Sequence, residues 1–330
     1  MDIKEKIKDF PQSPGIYMMR DDKGNIIYVG KSKSLRDRIK SYFVNSDNHS
    51  RKIKRMVKNI SDITITTTDT ELDALILECE KIQEIKPMYN TLMKKYENYC
   101  YIKINSQKGI YIVDHIENDD YIYFGPYTME RKLEEIKNIF IEVYKLPNCQ
   151  KFTKCIRYDL NKCIGPCRSI ENKDLYKDIL ENIIKILNGK NDEILNILTK
   201  QMNDAIQCLN FEEAQRIKKN MDLMNSLFRK QQIITKAVDN KLLIGWIKLN
   251  ESLVKIYLIG YGKILYSKII DLNKINDKIK EELTLDIRDR ILKEKEKTKE
   301  IIDKSSIDFI NIIYNYIENN KDINYMYVDL

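Results

Sequence analysis

Two short runs containing tyrosine and glycine near the N-terminus constrain the fold of this chain more than any other feature. Residues 15–19 and 26–31 are rich in β-branched, aromatic and methionine side chains, and they carry Tyr17 and Tyr28. The segment between them, residues 21–25, contains two aspartates, a glycine and an asparagine. Apolar runs separated by such turn residues predict a β-hairpin.

The residues that follow predict helices packed against this hairpin. Apolar residues recur at helical spacing over 34–44, and residues 63–68 form a β-branched run typical of a strand. A second helix is predicted from near Thr70, and Pro87 ends it. Strand, strand, helix, strand and helix within about 90 residues predict a compact α/β module.

Composition indicates a globular protein with a basic N-terminal part. The 330 residues are 43% hydrophobic and 32% charged, with a net charge of +7. No apolar run reaches the roughly 20 residues of a membrane span, and no signal peptide is visible, so we expect a cytoplasmic protein without membrane contact. Residues 1–60 contain 15 Lys and Arg against 7 Asp and Glu. This excess favours a nucleic-acid partner, although a lysine-rich solvated surface gives the same count.

Several polar residues of the predicted module suit phosphodiester hydrolysis. Arg38 and Tyr42 are four residues apart, so they share one helix face. Glu78 lies on the later helix and Asn90 follows its end. A carboxylate can hold a hard cation, a cation can neutralise phosphate oxygens, and phenols can hydrogen-bond a water or a phosphate. Taken singly, each residue is more often an ordinary half-buried aromatic or an exposed charge, and only the full ordered set favours a nuclease site.

In its order and spacing this set resembles the GIY-YIG nuclease module. The resemblance implies that Glu78 is the single carboxylate for Mg²⁺ or Mn²⁺ and that Tyr28 handles the proton of the attacking water. It implies four residues that position and neutralise the scissile phosphate, namely Tyr17, Lys31, Arg38 and Tyr42. Asn90 would brace the site, and Gly15 and Gly30 would shape its backbone. Whether Tyr28 is the base or only orients the water stays open, because a free phenol has a pKa near 10.

Four of the seven cysteines lie within 19 residues of one another. These are Cys149, Cys155, Cys163 and Cys167. In a cytoplasmic protein such clustering favours a metal centre over disulfides, and thiolates suit zinc or an iron–sulfur cluster. Free thiols are the alternative. The other cysteines, Cys79, Cys100 and Cys208, are expected in the core.

The continuation of the chain resembles the N-terminal half of the UvrC family of bacterial excision-repair nucleases. The strands at 101–104 and 110–113 and the Tyr123–Tyr127 turn look like the segment after the nuclease module in that family. The resemblance implies a [4Fe-4S] cluster at the four cysteines, with Cys149 the least secure ligand because the first gap is shorter than usual. The match extends to about residue 272.

A helical hairpin is predicted over residues 193–230, with an asparagine cap at Asn210. The run Asn210-Phe211-Glu212-Glu213-Ala214 resembles the UVR motif, which in the family pairs with the UvrB subunit. The partner-binding residues implied are Phe211, Glu212, Ala214 and Ile217. The alternative is a hairpin packed only on its own domain.

The predicted fold class is mixed α/β (α+β) with several domains. We expect a nuclease domain at 1–95, a linker segment with strands and a helix at 96–148, and the cysteine cluster at 149–170. A helical region with the UVR motif follows at 171–236, and a β-rich, barrel-like segment with charged helices at 237–330. No RNase H-like nuclease is expected, as in the shorter Cho-type homologues, and the acids Asp286, Asp289 and Asp308 are expected to be solvated.

The expected function is a metal-dependent endonuclease of nucleotide excision repair that makes one nick 3′ to a lesion. Its expected partners are damaged double-stranded DNA and UvrB. One alternative is a non-catalytic regulator that binds UvrB or DNA. The other is an independent nuclease of a mobile element, although no sequence-reading DNA-binding pattern follows residue 170.

Overall fold

The computed structural model describes residues 3–44, 49–128, 130–149, 156–238, 242–260, 262–295 and 302–328. The chain forms two compact units. The first combines residues 1–96 with 236–330, and the second covers 97–235. The mixed α/β class predicted from the sequence is confirmed.

The N-terminal part of the first unit is a three-stranded antiparallel sheet with helices around it. Its elements, in chain order, are α1 (Ile3–Lys8), β1 (Gly15–Arg20), β2 (Ile26–Ser32), α2 (Leu35–Tyr42), α3 (Arg51–Lys58), β3 (Asp62–Thr67) and α4 (Glu71–Ile85). The strand order is β2-β1-β3, so β1 lies in the centre. Within it Tyr17 stands opposite Gly30 on one side and Ile65 on the other.

Helix α4 begins and ends at signals visible in the sequence. The Thr70 hydroxyl accepts from the Asp73 amide, and the Asp73 carboxylate accepts from the Thr70 amide, which makes a capping box. Lys86 closes the helix in the left-handed conformation, with φ of 51°, immediately before Pro87. These signals fix the position of every side chain along the helix, Glu78 included.

The C-terminal part of the first unit is a four-stranded antiparallel sheet with two helices. Its elements are β7 (Leu242–Lys248), β8 (Leu253–Gly260), β9 (Lys263–Asp271), α10 (Asp277–Lys295), α11 (Ile307–Asn319) and β10 (Ile323–Val328). Their numbers follow those of the second unit, which lies between the two parts of the first unit in the sequence. The strand order is β10-β7-β8-β9. The sequence predicted only the strands of the 242–271 region, whereas β10 adds an edge strand by pairing Ile323 with Ile247.

The second unit contains a three-stranded sheet followed by helices. Its elements are β4 (Cys100–Asn105), β5 (Gly109–Val113), β6 (Ile122–Tyr127), α5 (Glu130–Val143), α6 (Ile156–Asp159), α7 (Ile170–Leu187), α8 (Glu193–Gln207) and α9 (Phe211–Val238). The sheet has the order β5-β4-β6. Between α8 and α9, Leu209 adopts a φ of 57° and the Asn210 side chain accepts from the Glu213 amide. The two helices and the asparagine cap of the predicted helical hairpin are therefore present.

Two expectations about burial are wrong. Asp308 is 7% exposed, not solvated, because α11 turns this face toward α4, where Gln83 donates to its carboxylate at 3.4 Å. Cys208 is exposed at the end of α8, not in the core, since it caps the helix at the hairpin tip. Cys79 and Cys100 are buried as expected. None of the described helices combines the length and apolar character needed to cross a bilayer.

Candidate active site

Three tyrosines form the centre of the candidate site. Tyr17 on β1, Tyr28 on β2 and Tyr42 on α2 have ring centroids 6.0 to 6.3 Å apart in every pair. The hydroxyl groups of Tyr17 and Tyr42 share a buried hydrogen bond of 2.8 Å. Tyr17 is 1% exposed and Tyr42 is 6% exposed, whereas Tyr28 is only half-buried. Of the three phenols, Tyr28 is thus the one best placed to meet solvent and substrate.

Both glycines of the motif are required by close contacts. Tyr17 faces Gly30 across the hairpin, and a Cβ added at Gly30 would lie 2.4 Å from the Tyr17 hydroxyl oxygen. A Cβ added at Gly15 would lie 2.3 Å from the Thr66 carbonyl oxygen and 2.9 Å from Leu35. Any larger residue would displace the tyrosine ring or separate β1 from β3.

Glu78 is fixed against the second strand by a main-chain hydrogen bond. Its Oε1 accepts from the Lys31 amide at 3.0 Å, while the side chain stays half-buried. Burial raises the pKa of Glu78, and this outweighs the opposing effects of the Lys31 amide and of Arg38. A single half-buried carboxylate suits Mg²⁺, which commonly binds one or two protein carboxylates and keeps several waters.

The Lys31 side chain is held by a residue that sequence reasoning missed. Its Nζ lies 2.6 Å from Oε1 of Glu71, in the first turn of α4. The other oxygen of Glu71 is 3.0 Å from Lys33 Nζ. Glu71 and Glu78 are seven residues apart and share one helix face. The spacing of Glu71 and Glu78 was the one signal in the sequence that Glu71 lies near the site. The ion pair between Lys31 and Glu71 could not be assigned without the fold, because the two residues are far apart in the chain.

Arg38 lies at the exposed edge of the tyrosine cluster. Its guanidinium carbon is 5.1 Å from the centroid of the Tyr42 ring, within the range of a cation–π contact. The residue is exposed, one turn before Tyr42 on α2. This arrangement leaves a cation beside the phenols and accessible to an anion.

Asn90 braces the strand that carries Tyr28. Its side-chain oxygen accepts from the Val29 amide at 3.0 Å, and its nitrogen donates to the Val29 carbonyl at 2.9 Å. Val29 is fully buried. The amide therefore acts as a substitute strand partner at this edge of β2.

The environment raises the pKa values of two phenols of the cluster, those of Tyr17 and Tyr28. Burial, followed by the neighbouring Tyr42 and Tyr28, raises the pKa of Tyr17 far above its ordinary value. Burial, Tyr42 and Glu78 raise the pKa of Tyr28 in the same direction, and only Arg38 opposes them. At neutral pH Tyr17 and Tyr28 therefore supply neutral hydroxyl groups.

The cysteine cluster is only partly described. Cys163 is buried and its sulfur accepts from the Gly165 amide at 3.4 Å, while Cys149 and Cys167 are half-buried. Cys155 lies outside the described residues. Over the described ranges, no group of three or more His, Cys, Asp and Glu side chains is arranged to hold a metal ion.

The residues of the UVR-like run lie at the start of α9. Phe211 is 63% exposed and Glu212 is also exposed. Ala214 and Ile217 are 8% and 3% exposed, so they pack inside the second unit. Of the four residues predicted to contact a partner, the first two are therefore on the surface.

Comparisons with known families identify two consecutive parts of the chain. Residues 13–91 match the family described as the UvrC-like GIY-YIG domain. Residues 99–186 match the UvrC/Cho excinuclease middle domain. Together these matches span about half of the chain, and the first contains all seven predicted catalytic residues.

Curated relatives point in the same direction. UvrABC system protein C of Alkaliphilus oremlandii is 33% identical over 97% of this chain and 54% of that protein. Its namesake in Clostridioides difficile is 31% identical over 97% of this chain and 55% of that protein. The chain thus spans about half the length of these relatives.

The magnesium-bound GIY-YIG N-terminal endonuclease domain of UvrC from Thermotoga maritima is 31% identical, covering 27% of this chain and 96% of that one with a TM-score of 0.25. The chain belongs to the UvrC family, with a UvrC-type GIY-YIG domain followed by the UvrC/Cho middle domain.

Proposed function

We propose that this chain is a metal-dependent DNA endonuclease of nucleotide excision repair. It would hydrolyse one phosphodiester bond 3′ to a lesion, in DNA presented by UvrB. One observation supports this most strongly: Glu78 is fixed to the strand that carries Tyr28, beside the cluster of three phenols, within a UvrC-type domain.

The divalent cation, Mg²⁺ or Mn²⁺, would be held by Glu78. Bound there, it would polarise the phosphate and make a water more acidic. The Lys31 amide would keep the Glu78 carboxylate in place. The Lys31 ammonium is paired with Glu71, so it does not compete with the metal ion for Glu78.

Tyr28 would act as a neutral phenol that orients the attacking water or a phosphate oxygen. Burial and the neighbouring Tyr42 raise the pKa of Tyr28 above its ordinary value, which favours the neutral phenol as its form before a cation binds. Tyr17 and Tyr42 are joined by a hydrogen bond, and this bond fixes the position of the Tyr17 ring against which Tyr28 packs.

Arg38 and Lys31 would contact the scissile phosphate and its neighbours. Arg38 is exposed, lies over the Tyr42 ring and also interacts with the Tyr17 hydroxyl, so an incoming phosphate would reach its guanidinium from the solvent side. Such contacts read the backbone and its deformation, not the base sequence. Recognition of the lesion would therefore come from the partner that presents the DNA.

UvrB would bind at the tip of the α8–α9 hairpin. Phe211 projects from this tip beside Leu209, which is 74% exposed, while Ala214 and Ile217 hold the hairpin to its own unit. Aromatic anchors of this kind commonly dominate a protein interface. Phe211→Ala is expected to weaken capture by immobilised UvrB at least tenfold without lowering the melting temperature. Glu212→Gln, a second surface variant of the same run, is expected to weaken capture less.

An iron–sulfur cluster or zinc at the four cysteines is a separate proposal. Cys155 lies outside the described residues, and no catalytic step is derived through such a centre. Iron and zinc content and the visible spectrum of the anaerobically purified protein test the proposal. Metal that is retained in Cys163→Ser at the wild-type level would contradict it, with Cys208→Ser as the matched control.

The function is tested by strand incision of an end-labelled duplex that carries one bulky lesion. Reactions contain Mg²⁺ or Mn²⁺, with and without UvrB and ATP. One nick 3′ to the lesion that requires UvrB is the expected result. Nicking without UvrB and at undamaged sites would favour an independent nuclease, and UvrB binding without any nick would favour a non-catalytic regulator.

A further inference from the structure

The active-site helix α4 is packed on two sides within the first unit. On one side Glu78 bonds to β2. On the other, Leu72 is fully buried in an apolar cluster of the C-terminal sheet and α11. The other fully or mostly buried members of this cluster are Leu243, Ile247, Tyr257, Ile259, Ile313, Tyr316, Ile317 and Ile323. The helix that carries Glu78 is thus held by a second sheet, far away in the sequence.

The contact concentrates at the N-terminus of α4. The Tyr257 hydroxyl lies 2.6 Å from the Thr70 hydroxyl and donates to Oδ2 of Asp73 at 3.2 Å. Tyr257 has no exposed surface. Thr70 and Asp73 are the two members of the capping box, so a residue of β8 completes the cap of the active-site helix.

Lys255 also contacts the start of α4, through ion pairs. It points to the same face of β8 as Tyr257, two residues away. Its Nζ is 2.7 Å from Oδ2 of Asp69 and 2.9 Å from Oδ2 of Asp73, and the residue is 8% exposed. The buried Lys255 ammonium thus pairs with Asp73 in the first turn of α4 and with the more exposed Asp69 just before the helix.

The first turn of α4 connects this contact to the site. Glu71 follows the cap residue Thr70 directly and holds the Lys31 side chain. Glu78 lies two turns further on and accepts from the Lys31 amide. A rotation or shift of the helix start would move both acids relative to β2, because a helix turns as one body.

We propose that Tyr257 and Lys255 are positioning residues of the nuclease site. They hold the start of α4 so that Glu78 presents its carboxylate at the distance from β2 that the divalent cation needs. Their partners are Thr70, Asp69 and Asp73 at the start of α4, so they would act on Glu78 through the helix, and we expect the larger effect on metal affinity and the smaller one on DNA binding. This inference rests on the proposed metal-dependent nuclease activity.

The test compares Tyr257→Phe, Lys255→Met and Lys255→Arg with wild type. Tyr257→Phe keeps the buried ring and removes only the hydroxyl. Tyr266→Phe is the matched control, because the Tyr266 hydroxyl also bonds an aspartate, Asp286, at 2.9 Å but away from α4. For each protein we would measure nicking against Mg²⁺ concentration, DNA affinity, Mn²⁺ binding by calorimetry and the melting temperature.

We expect Tyr257→Phe to raise the Mg²⁺ concentration for half-maximal nicking about 3- to 10-fold. This is less than the roughly 10- to 100-fold cost of losing a direct outer-shell partner of a metal ligand, because Tyr257 acts on Glu78 only through the helix. Lys255→Met should act in the same direction, Lys255→Arg should recover most of the loss, and Tyr266→Phe should match wild type. DNA affinity should stay within about twofold, since no phosphate contact is removed.

Two results would overturn the inference. One is an unchanged Mg²⁺ dependence in Tyr257→Phe, and the other is a loss of nicking that no Mg²⁺ concentration restores. Should Lys255→Met fail to fold, Tyr257→Phe still decides. Failure of the proposed nuclease function can be told apart from failure of this inference, because wild type would then not nick at all. Mn²⁺ binding to wild type and to Tyr257→Phe could still be compared in that case, with Glu78→Gln as the background.

Discussion

The hydroxyl groups of Tyr17 and Tyr42 lie 2.8 Å apart in the interior of the N-terminal sheet domain. This hydrogen bond joins the central strand β1 to helix α2, and both rings stand about 6 Å from Tyr28. The two most buried phenols therefore bond each other, and the third faces the site.

The first prediction concerns this pair. Removing either hydroxyl leaves the other buried without its partner, whereas removing both leaves two rings of nearly the same shape. Tyr17→Phe and Tyr42→Phe should each lower the free energy of unfolding by about 1 to 2 kcal/mol, and the double variant by less than their sum. A urea-denaturation double-mutant cycle measures the coupling, and strictly additive losses would show that the bond contributes nothing.

The second prediction follows from the contact between Gly30 and Tyr17. Gly30→Ala would place a methyl group 2.4 Å from the Tyr17 hydroxyl oxygen, so the buried ring must move. Overpacking of this kind costs about 1 to 3 kcal/mol, and nicking should fall as well. Gly245→Ala is the control, because its Cβ would meet Ile323 at 3.1 Å, a side-chain end that can shift. An equal loss of melting temperature in both variants would contradict the assignment.

The third prediction concerns Asn90. Asn90→Ala leaves the amide and carbonyl of the buried Val29 without their two side-chain partners. The expected cost is about 1 to 3 kcal/mol in chemical denaturation, together with slower nicking, because Tyr28 neighbours Val29. The exposed neighbour Thr91 provides the comparison, since Thr91→Ala should leave both quantities unchanged. A stable and fully active Asn90→Ala would show that the brace is dispensable.

The fourth prediction separates stability from activity at Glu78. Burial raises the pKa of Glu78 in the folded protein, so the folded state holds this proton more tightly than the unfolded chain does. The resulting stability is present at low pH and is lost as pH rises through the folded pKa. In the presence of a metal chelator, Glu78→Gln should therefore melt at a higher temperature than wild type at pH 7.

The difference in melting temperature between Glu78→Gln and wild type should shrink as the pH is lowered through the folded pKa of Glu78. Gln retains the side-chain oxygen that accepts from the Lys31 amide, so the comparison removes the charge alone. The exposed Glu80 supplies the control: Glu80→Gln should match wild type at each pH. A lower melting temperature for Glu78→Gln at neutral pH would mean that favourable charge contacts, not burial, dominate at this position.

The local elements of the site could be predicted from the sequence because their signals are local. A turn cluster between two apolar runs gave the hairpin that carries Tyr17 and Tyr28, and the Thr70 cap and Pro87 bracket α4. Strand register and helix periodicity then bring Tyr17, Tyr28 and Tyr42 together. These steps need only the periods of strand and helix.

The rest depends on contacts between distant parts of the chain. The partner of Lys31 is Glu71 on another element, and the cap of α4 is completed by Tyr257, 187 residues from Thr70. Asp308 looked like any other acid on a charged helix, yet α11 buries it beside Gln83. No periodicity or turn signal specifies which surfaces of separate elements meet.

Single-turnover nicking of a lesion-bearing duplex by wild type, Glu78→Gln and Glu80→Gln tests the central claim most directly. With Mg²⁺ and UvrB present, we predict a loss of at least about 100-fold in Glu78→Gln, comparable to removing one preorganised electrostatic group from an active site. Its DNA affinity should stay near that of wild type, and Glu80→Gln should nick normally. Nicking by Glu78→Gln at the wild-type rate would show that the catalytic centre lies elsewhere in the chain.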